Sequence, residues 1–238
     1  AEVKREQNSI HSFLELHIEQ GSVLHDEVIQ IGLVEGIVGI EWWEIKVEGF
    51  ANHAGTTPMN KRQDALLAAS ELVLSINEIV RSVPGKQVGT VGKMSVEPGA
   101  PNVIPGKVTM SLELRDLSYD KMMRLFNEIK ESAKKISQAH GVSIDFESLN
   151  VSSQPALADS FIQQIIADAT NALGYSVKKM PSGAGHDAQE MALLAPMGMI
   201  FVPSIYGISH SPKEYSTSSA IANGTRVLLE TILKLDKQ

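Results

Sequence analysis

The stretch Asp64–Val80, DALLAASELVLSINEIV, is the clearest helical segment of this chain. Its apolar residues recur at helical spacing and Pro84-Gly85 follow just beyond it, so the stretch predicts an amphipathic helix. A second helix of this kind is predicted over Asp120–His140 and ends at Gly141. Both helices stand between segments with the β-branched residues and the apolar character of strands. These segments are Trp42–Val47, Val88–Met94, Val108–Leu114 and Val142–Phe146.

Residues 36–151 therefore have the order β-α-β-β-α-β. This order is typical of a ferredoxin-like α+β sandwich, in which two helices cover one face of an antiparallel sheet. Residues 1–35 and 152–238 predict an α/β domain into which the sandwich is inserted. The elements predicted for it are a helix closed by Gly21 over Ser12–Gly21, a strand over Ile29–Val38, a helix over Asp159–Leu173, a strand over Met199–Val202 and a helix over Ala220–Leu235.

The composition excludes several classes of protein and of site. The net charge of −7 without a basic stripe argues against binding to nucleic acid or to an anionic membrane. No apolar run approaches the roughly 20 residues that a membrane helix needs. The chain has no cysteine, so any metal site must use His, Asp or Glu. The absence of cysteine also fits a reducing compartment, and we expect a cytoplasmic protein.

Two of the seven histidines stand in contexts that suit metal ligands. His17 lies in ELHIEQG, where neighbouring carboxylates can orient a neutral imidazole. His210 lies in GISHSPKE, on a loop that follows a buried strand, as expected for a site at the carboxyl ends of strands. The alternatives are a satisfied structural histidine at position 17 and a turn histidine at position 210. His11, His25 and His140 have polar or helix-end surroundings and predict solvated side chains.

Four further positions could serve a ligand. His53 lies in NHAGTTPM, although Thr56, Thr57 and Pro58 could simply cap a helix. His186 lies in SGAGHDAQ, where the glycines allow close backbone approach and Asp187 could fix the imidazole tautomer. The alternative there is a glycine-rich connection. Asn102 in GAPNVIPG and Arg115 in LELRD complete the set; Arg115 could bind a carboxylate through two parallel hydrogen bonds or pair with Glu113 or Asp116.

Taken in order, the five segments ELHIEQG, NHAGTTPM, PNVIPG, SGAGHDA and GISHSPKE resemble the group of allantoate amidohydrolases, N-carbamoyl-L-amino-acid hydrolases and β-ureidopropionases. This group belongs to the clan of metal-dependent aminoacylases and carboxypeptidases. The resemblance implies a catalytic α/β domain, partial in this chain, with a dinuclear zinc or manganese site and an inserted lid that also forms a homodimer. The substrate it implies is a small ureido or carbamoyl acid, whose carbamoyl C–N bond is cleaved to release ammonia and carbon dioxide.

The resemblance also assigns roles residue by residue. It makes His17 a ligand of one metal ion and His210 a ligand of the other. It gives His53 the stabilisation of the tetrahedral intermediate, or contact with the carbamoyl group. The residues that it assigns to substrate binding are Gln20, His53, Asn102, Arg115, Gly183, Gly185 and His186.

One departure limits what this chain should do alone. The group places further metal ligands and a general-base glutamate upstream of ELHIEQG, and only 16 residues precede His17 here. Because a catalytic zinc ion normally needs about three protein ligands, we expect the chain alone to bind metal weakly at most and to be inactive. Two other functions remain open: a dimerisation or binding module that has lost catalysis, and an aminoacylase or peptidase of the same clan.

Overall fold

A computed structural model describes residues 5–7 and 9–237 of the chain. The chain divides into two compact units. Unit 1 consists of residues 1–38 and 155–238, and unit 2 consists of residues 39–154. The sequence-based boundaries at 36 and 152 lie three residues before those of the structure, at 39 and 155.

Twelve strands and six helices are found in the described residues. In chain order they are β1 (Phe13–Ile18), α1 (Val23–Asp26), β2 (Ile31–Ile37), β3 (Gly39–Glu48), β4 (Asn52–His53), α2 (Ala65–Ser82), β5 (Val88–Thr90), β6 (Met94–Glu97), β7 (Val103–Ile104), β8 (Lys107–Asp116), α3 (Tyr119–His140), β9 (Ser143–Ser153), β10 (Ala156–Leu157), α4 (Ser160–Ala172), β11 (Val177–Ser182), α5 (Asp187–Met191), β12 (Met197–Val202) and α6 (Ser218–Leu235). Short 3-10 helices lie at Met59–Lys61 and Ile205–Gly207.

Unit 2 is the predicted sandwich. Its antiparallel sheet has the order β5-β8-β3-β9, and β6 pairs with β8 beside β5. Alternate residues of β8, from Val108 to Leu114, are buried and pack in one core with α2 and α3. The order β-α-β-β-α-β is therefore confirmed. The strand predicted over Val88–Met94 is instead two short strands, because the chain leaves β8 between Thr90 and Met94.

Capping residues define where the two long helices of unit 2 begin and end. The Asp64 carboxylate accepts hydrogen bonds from the backbone N–H groups of Leu66 and Leu67 at 3.0 and 3.1 Å, which starts α2. Helix α3 ends at Gly141, whose left-handed φ of 65° suits glycine. The helix ends that the sequence predicted thus follow from local side-chain and backbone chemistry.

Unit 1 contains a mixed sheet with helices on both faces. Strands β1 and β12 are parallel, β2 runs antiparallel to β12, and β11 is parallel to β2 on its other side. Helices α4 and α6 share an apolar cluster with one face of this sheet. The other face packs against Leu24 of α1 and Ala188 of α5. The mixed α/β architecture agrees with the predicted fold class.

The segment Ser12–Gly21 was wrongly predicted as a helix. Residues Phe13–Ile18 form β1, and every residue of this strand pairs with a residue of β12. Leu14, Leu16 and Ile18 alternate with Glu15, His17 and Glu19, which is the period of a strand, and the partner strand about 180 residues away in sequence completes the pairing. Among the described residues, no helix is long and apolar enough to cross a membrane.

Two leucines of α2 give a matched test of the core of unit 2. Leu72 is 0% exposed, whereas Leu74 is 67% exposed. We expect Leu72→Ala to lower the free energy of unfolding by about 2–5 kcal/mol and Leu74→Ala to change it by less than about 0.5 kcal/mol. Both tryptophans, Trp42 and Trp43, lie on β3, so their fluorescence in guanidinium titrations reports the unfolding of this unit. Equal losses in the two variants would contradict the packing described.

Candidate functional site

The parallel pair β1 and β12 brings the carboxyl ends of two strands to one edge of the sheet. His17, the penultimate residue of β1, is in register with Phe201 of β12. The ladder is extended by the backbone N–H of Glu19, which donates to the carbonyl of Val202 at 2.9 Å. The loops that leave this edge carry Gln20 on one side and His210 on the other. Such an edge of an α/β sheet is a common place for ligand binding.

Two imidazoles and one carboxylate meet beside this edge. Glu15, His17 and His186 each offer one ligand atom, and these atoms lie within 4.8 Å of one another. The rings of His17 and His186 are in edge contact, with centroids 4.5 Å apart. Oε1 of Glu15 lies 3.6 Å from Nδ1 of His186. The side chain of His186 is only 2% exposed and that of Glu15 14%, so the group is largely shielded from water.

Each side chain of this cluster has two polar atoms, and a hydrogen bond to one of them fixes the direction of the second. Nδ1 of His17 lies 2.9 Å from the carbonyl oxygen of Ile18, and since a carbonyl only accepts, Nδ1 carries the proton and Nε2 the lone pair. The hydroxyl of Ser182 donates to the carbonyl of Ala184 at 2.9 Å and therefore accepts from Nε2 of His186 at 2.8 Å.

The carboxylate of the cluster is oriented in the same way. Oε2 of Glu15 accepts from the backbone N–H of Ala188 at 2.8 Å, which leaves Oε1 on the side of His186. Neutral imidazoles and a carboxylate, each oriented by a second hydrogen bond, are a donor set that suits zinc or manganese. The residues at this position therefore fit a divalent metal ion.

The charge state of His186 suits the same chemistry. Burial, and then the nearby His17, lower the pKa of His186 to about 4, and the opposing influence of Asp187 is smaller. The ring is therefore neutral at physiological pH, which is the form that binds metals. The tautomer is fixed by Ser182, whereas the sequence had suggested Asp187 for this role.

Gln20, Gly183 and His210 line one cavity of about 420 Å³ within unit 1. Nε2 of Gln20 donates to the hydroxyl of Ser209 at 3.1 Å, which links the two loops that border the cavity. Gly185 is exposed and lies two residues after Gly183 on the same loop. His210 is also exposed and lies outside the group formed by Glu15, His17 and His186.

His53 and Asn102 are neighbours within unit 2. Strands β4 and β7 pair, with His53 opposite Val103, and the N–H of Ala54 donates to the carbonyl of Asn102 at 2.9 Å. Nδ1 of His53 accepts from the N–H of Gly55 at 3.0 Å, so Nε2 carries the proton of the neutral ring. Thr57 bonds the carbonyl of His53 rather than capping α2.

Arg115 lies near the C-terminal end of β8, whereas Asn102 and His53 lie beyond its N-terminal end. Its guanidinium donates two hydrogen bonds to the carboxylate of Glu113, from Nε to Oε1 at 2.8 Å and from Nη2 to Oε2 at 2.9 Å. Trp42 donates to the same carboxylate at 2.5 Å. Arg115 pairs with Ile40 and is eight residues from Lys107, the β8 residue next to the β4–β7 side, a separation of about 26 Å at 3.3 Å per residue. Within one chain, the structure therefore does not bring Arg115 to His53 and Asn102.

Glu15 and Ser182 were not singled out by the sequence as functional residues. Glu15 stands two positions before His17, and i, i+2 residues share one face of a strand. The helical interpretation of Ser12–Gly21 hid this signal. Ser182 is the first residue of the segment SGAGHDA, but only the folded turn, which brings the His186 ring to its hydroxyl, shows that it anchors the imidazole.

We expect the imidazole of His186 to stay neutral as pH falls to about 4, because burial disfavours its charged form. Between pH 6.5 and 4 the unfolded chain binds a proton that the folded chain does not, so the stability due to the neutral ring is complete above pH 6.5 and is lost as pH falls toward 4. NMR titration of the ring protons in the chelator-treated protein, assigned with His186→Gln, measures this pKa. A midpoint near 6.5 would contradict the buried placement of the ring.

Comparison with known proteins shows where this chain belongs. The profile of the Peptidase family M20/M25/M40 matches residues 1–234. The chain is 39% identical over 231 residues to the N-carbamoyl-L-amino acid amidohydrolase of Geobacillus stearothermophilus, over 97% of this chain and 56% of that protein. It is 41% identical over 229 residues to the ureidoglycolate hydrolase of Arabidopsis thaliana, over 95% of this chain and 48% of that protein.

A solved structure extends the likeness to three dimensions. The crystal structure of an amidase of the hydantoinase/carbamoylase family from Burkholderia multivorans matches with a TM-score of 0.91 and 36% identity, over 95% of this chain and 55% of that one. The chain thus spans about half the length of the curated relatives it matches. These matches confirm the resemblance carried by the five sequence segments, and the chain belongs to the Peptidase family M20/M25/M40.

Proposed function

We propose that the complete protein containing this chain hydrolyses the carbamoyl or ureido C–N bond of a small carboxylic acid, such as an N-carbamoyl-L-amino acid or allantoate. The observation that carries the proposal is the cluster of Glu15, His17 and His186, whose oriented nitrogen and oxygen atoms lie within 4.8 Å of one another. It stands at a strand edge next to the cavity lined by Gln20 and His210. Relatives named for carbamoyl and ureido substrates support the substrate class.

Two divalent metal ions, zinc or manganese, are part of the proposal. His17 would hold one ion through Nε2, with Glu15 and His186 beside it, and His210 would hold the other. A bound pair of ions would polarise the ureido carbonyl and lower the pKa of a bound water toward neutrality.

Side chains of this chain would recognise and bind the substrate. Nε2–H of His53 is a donor for the oxygen that gains negative charge, since its Nδ1 already accepts from Gly55. Asn102 stands beside it and offers an amide to the substrate carboxylate. Gln20 and the Gly183–Gly185 turn would line the substrate cavity in unit 1. His186, neutral and anchored by Ser182, would lie beside the metal ion and contact the substrate bound to it.

Arg115 would bind the substrate carboxylate from a second copy of the chain. Its separation of about 26 Å from the β4–β7 pair along β8 argues against joint action of Arg115, His53 and Asn102 within one copy. In a homodimer formed through unit 2, Arg115 of one copy could reach a substrate that His53 and Asn102 of the other copy contact. Strand β9 is an edge strand of the described sheet, and its regular part from Ser143 to Ser148 offers backbone groups that could pair with a second copy. The cytoplasmic location stays a prediction.

A substrate panel with the complete enzyme tests the function. We expect hydrolysis of N-carbamoyl-L-amino acids or allantoate, loss of activity after chelation, and recovery with zinc or manganese. His17→Ala should lower activity by more than about 10–100-fold, the loss typical of removing only an outer partner of a metal ligand, and the metal content should fall by about one ion per chain. His11→Ala is the matched control on an exposed histidine. Turnover of only N-acetyl amino acids or dipeptides would make the protein an aminoacylase or peptidase, and no turnover of any amide would make it a binding module.

Arg115→Lys separates substrate recognition from metal binding in the same enzyme. The variant keeps the charge but removes the planar fork, so KM for carboxylate substrates should rise by the equivalent of about 1.5–3 kcal/mol. The metal content should stay at the wild-type level. Loss of metal with unchanged KM would contradict the role assigned to Arg115.

A further inference from the structure

We propose that Glu214 is a positioning residue that locks the His210 loop to Gln20, so that a metal-binding and a substrate-binding residue are held as one unit. The functions of His210 and Gln20 rest on the proposed function, whereas the link between them rests on contacts within unit 1. Glu214 is the final residue of the segment GISHSPKE, and no role was assigned to it from the sequence.

Both residues joined by this link have an unusual backbone. Gln20 has a φ of 59° and His210 a φ of 54°, in the left-handed region that non-glycine residues seldom adopt. Such conformations persist only where surrounding contacts impose them, and they are concentrated at functional sites. Contacts within each loop must therefore stabilise the left-handed conformation of Gln20 and of His210.

A continuous chain of hydrogen bonds does so. The backbone N–H of Gln20 donates to Ser204 at 3.0 Å, and its side-chain Nε2 donates to the hydroxyl of Ser209 at 3.1 Å. The hydroxyl of Ser209 in turn donates to the carboxylate of Glu214. Oε2 of the same carboxylate accepts from the backbone N–H of His210 at 2.9 Å. Glu214 therefore fixes the backbone of His210 directly and the amide of Gln20 through one hydroxyl.

The chemistry of the link requires a carboxylate. Two donors, the Ser209 hydroxyl and the His210 N–H, converge on this side chain, and an ionised carboxyl group can accept both. A glutamine would offer a single acceptor oxygen and an NH2 group that competes for Ser209. The backbone N–H of Glu214 also donates to the carbonyl of Ser211 at 2.9 Å, so a tight turn delivers the side chain to the loop.

The first test uses the 238-residue chain and does not depend on catalysis. In Glu214→Ala, we expect the amide proton of His210 to exchange at least about tenfold faster and the side-chain NH2 resonances of Gln20 to shift, because both anchors are lost. Glu214→Gln should give an intermediate effect. Glu78→Ala, which removes an exposed carboxylate on α2, is the control and should leave both signals unchanged. Unchanged His210 and Gln20 signals in Glu214→Ala would overturn the proposal.

The second test is a double-mutant cycle in the complete enzyme. Glu214→Ala should lower kcat/KM by about 10–100-fold, as expected for an outer partner of a functional residue. If Glu214 acts through Gln20, the double variant with Gln20→Ala should lose much less than the product of the two single losses. Strictly multiplicative losses would overturn the link. A wild-type enzyme that is inactive on every carbamoyl substrate would refute the proposed function instead, and the exchange experiment would still decide the link.

Discussion

The backbone ladder between β1 and β12 is the interaction on which the rest of the site depends. It joins Phe13–Ile18 to Met197–Val202 in register, across about 180 residues of sequence. A slip by one residue would turn His17 to the opposite face of the sheet, because side chains alternate along a strand. Helix α6 packs directly on this pair: a Cβ at Gly224 would lie 2.5 Å from Val202 and 2.6 Å from Leu16. A larger residue would require both side chains to shift, so glycine lets the helix lie close to the strand pair that places His17.

The cluster built on this ladder is polar and largely buried, and such groups are costly unless they are paired. Glu15, His17 and His186 each have one atom anchored, to Ala188, Ile18 and Ser182 respectively. The anchored atoms fix the direction of the others, which converge. The burial that costs free energy also lowers the pKa of His186 and keeps the ring neutral, and the neutral ring is the form that could bind a metal ion.

The sequence predicted the sandwich well because its elements are local. Asp64 and Gly141 mark helix ends by capping chemistry, and the apolar periods of α2 and α3 need no partner to be recognised. It failed over Ser12–Gly21, where Leu14, Leu16 and Ile18 alternate with polar residues at the period of a strand and the pairing with β12 completes that strand. The site was predictable in part for the same reason. Motif histidines such as His17 could be found from their neighbours, whereas the anchoring Ser182 and the carboxylate of Glu214 act through contacts that only the folded loops create.

Anomalous diffraction at the zinc edge, from crystals of the complete enzyme loaded with zinc, tests the proposed metal site at His17. The hydrogen bond from Nδ1 of His17 to the carbonyl of Ile18 leaves the lone pair on Nε2, the atom that we propose as the ligand. We predict an anomalous peak about 2.0–2.1 Å from Nε2 of His17. We predict a second peak about 3.5–4 Å from the first, in contact with His210. Zinc peaks elsewhere, with none within bonding distance of His17, would contradict the assignment of this edge as the metal centre.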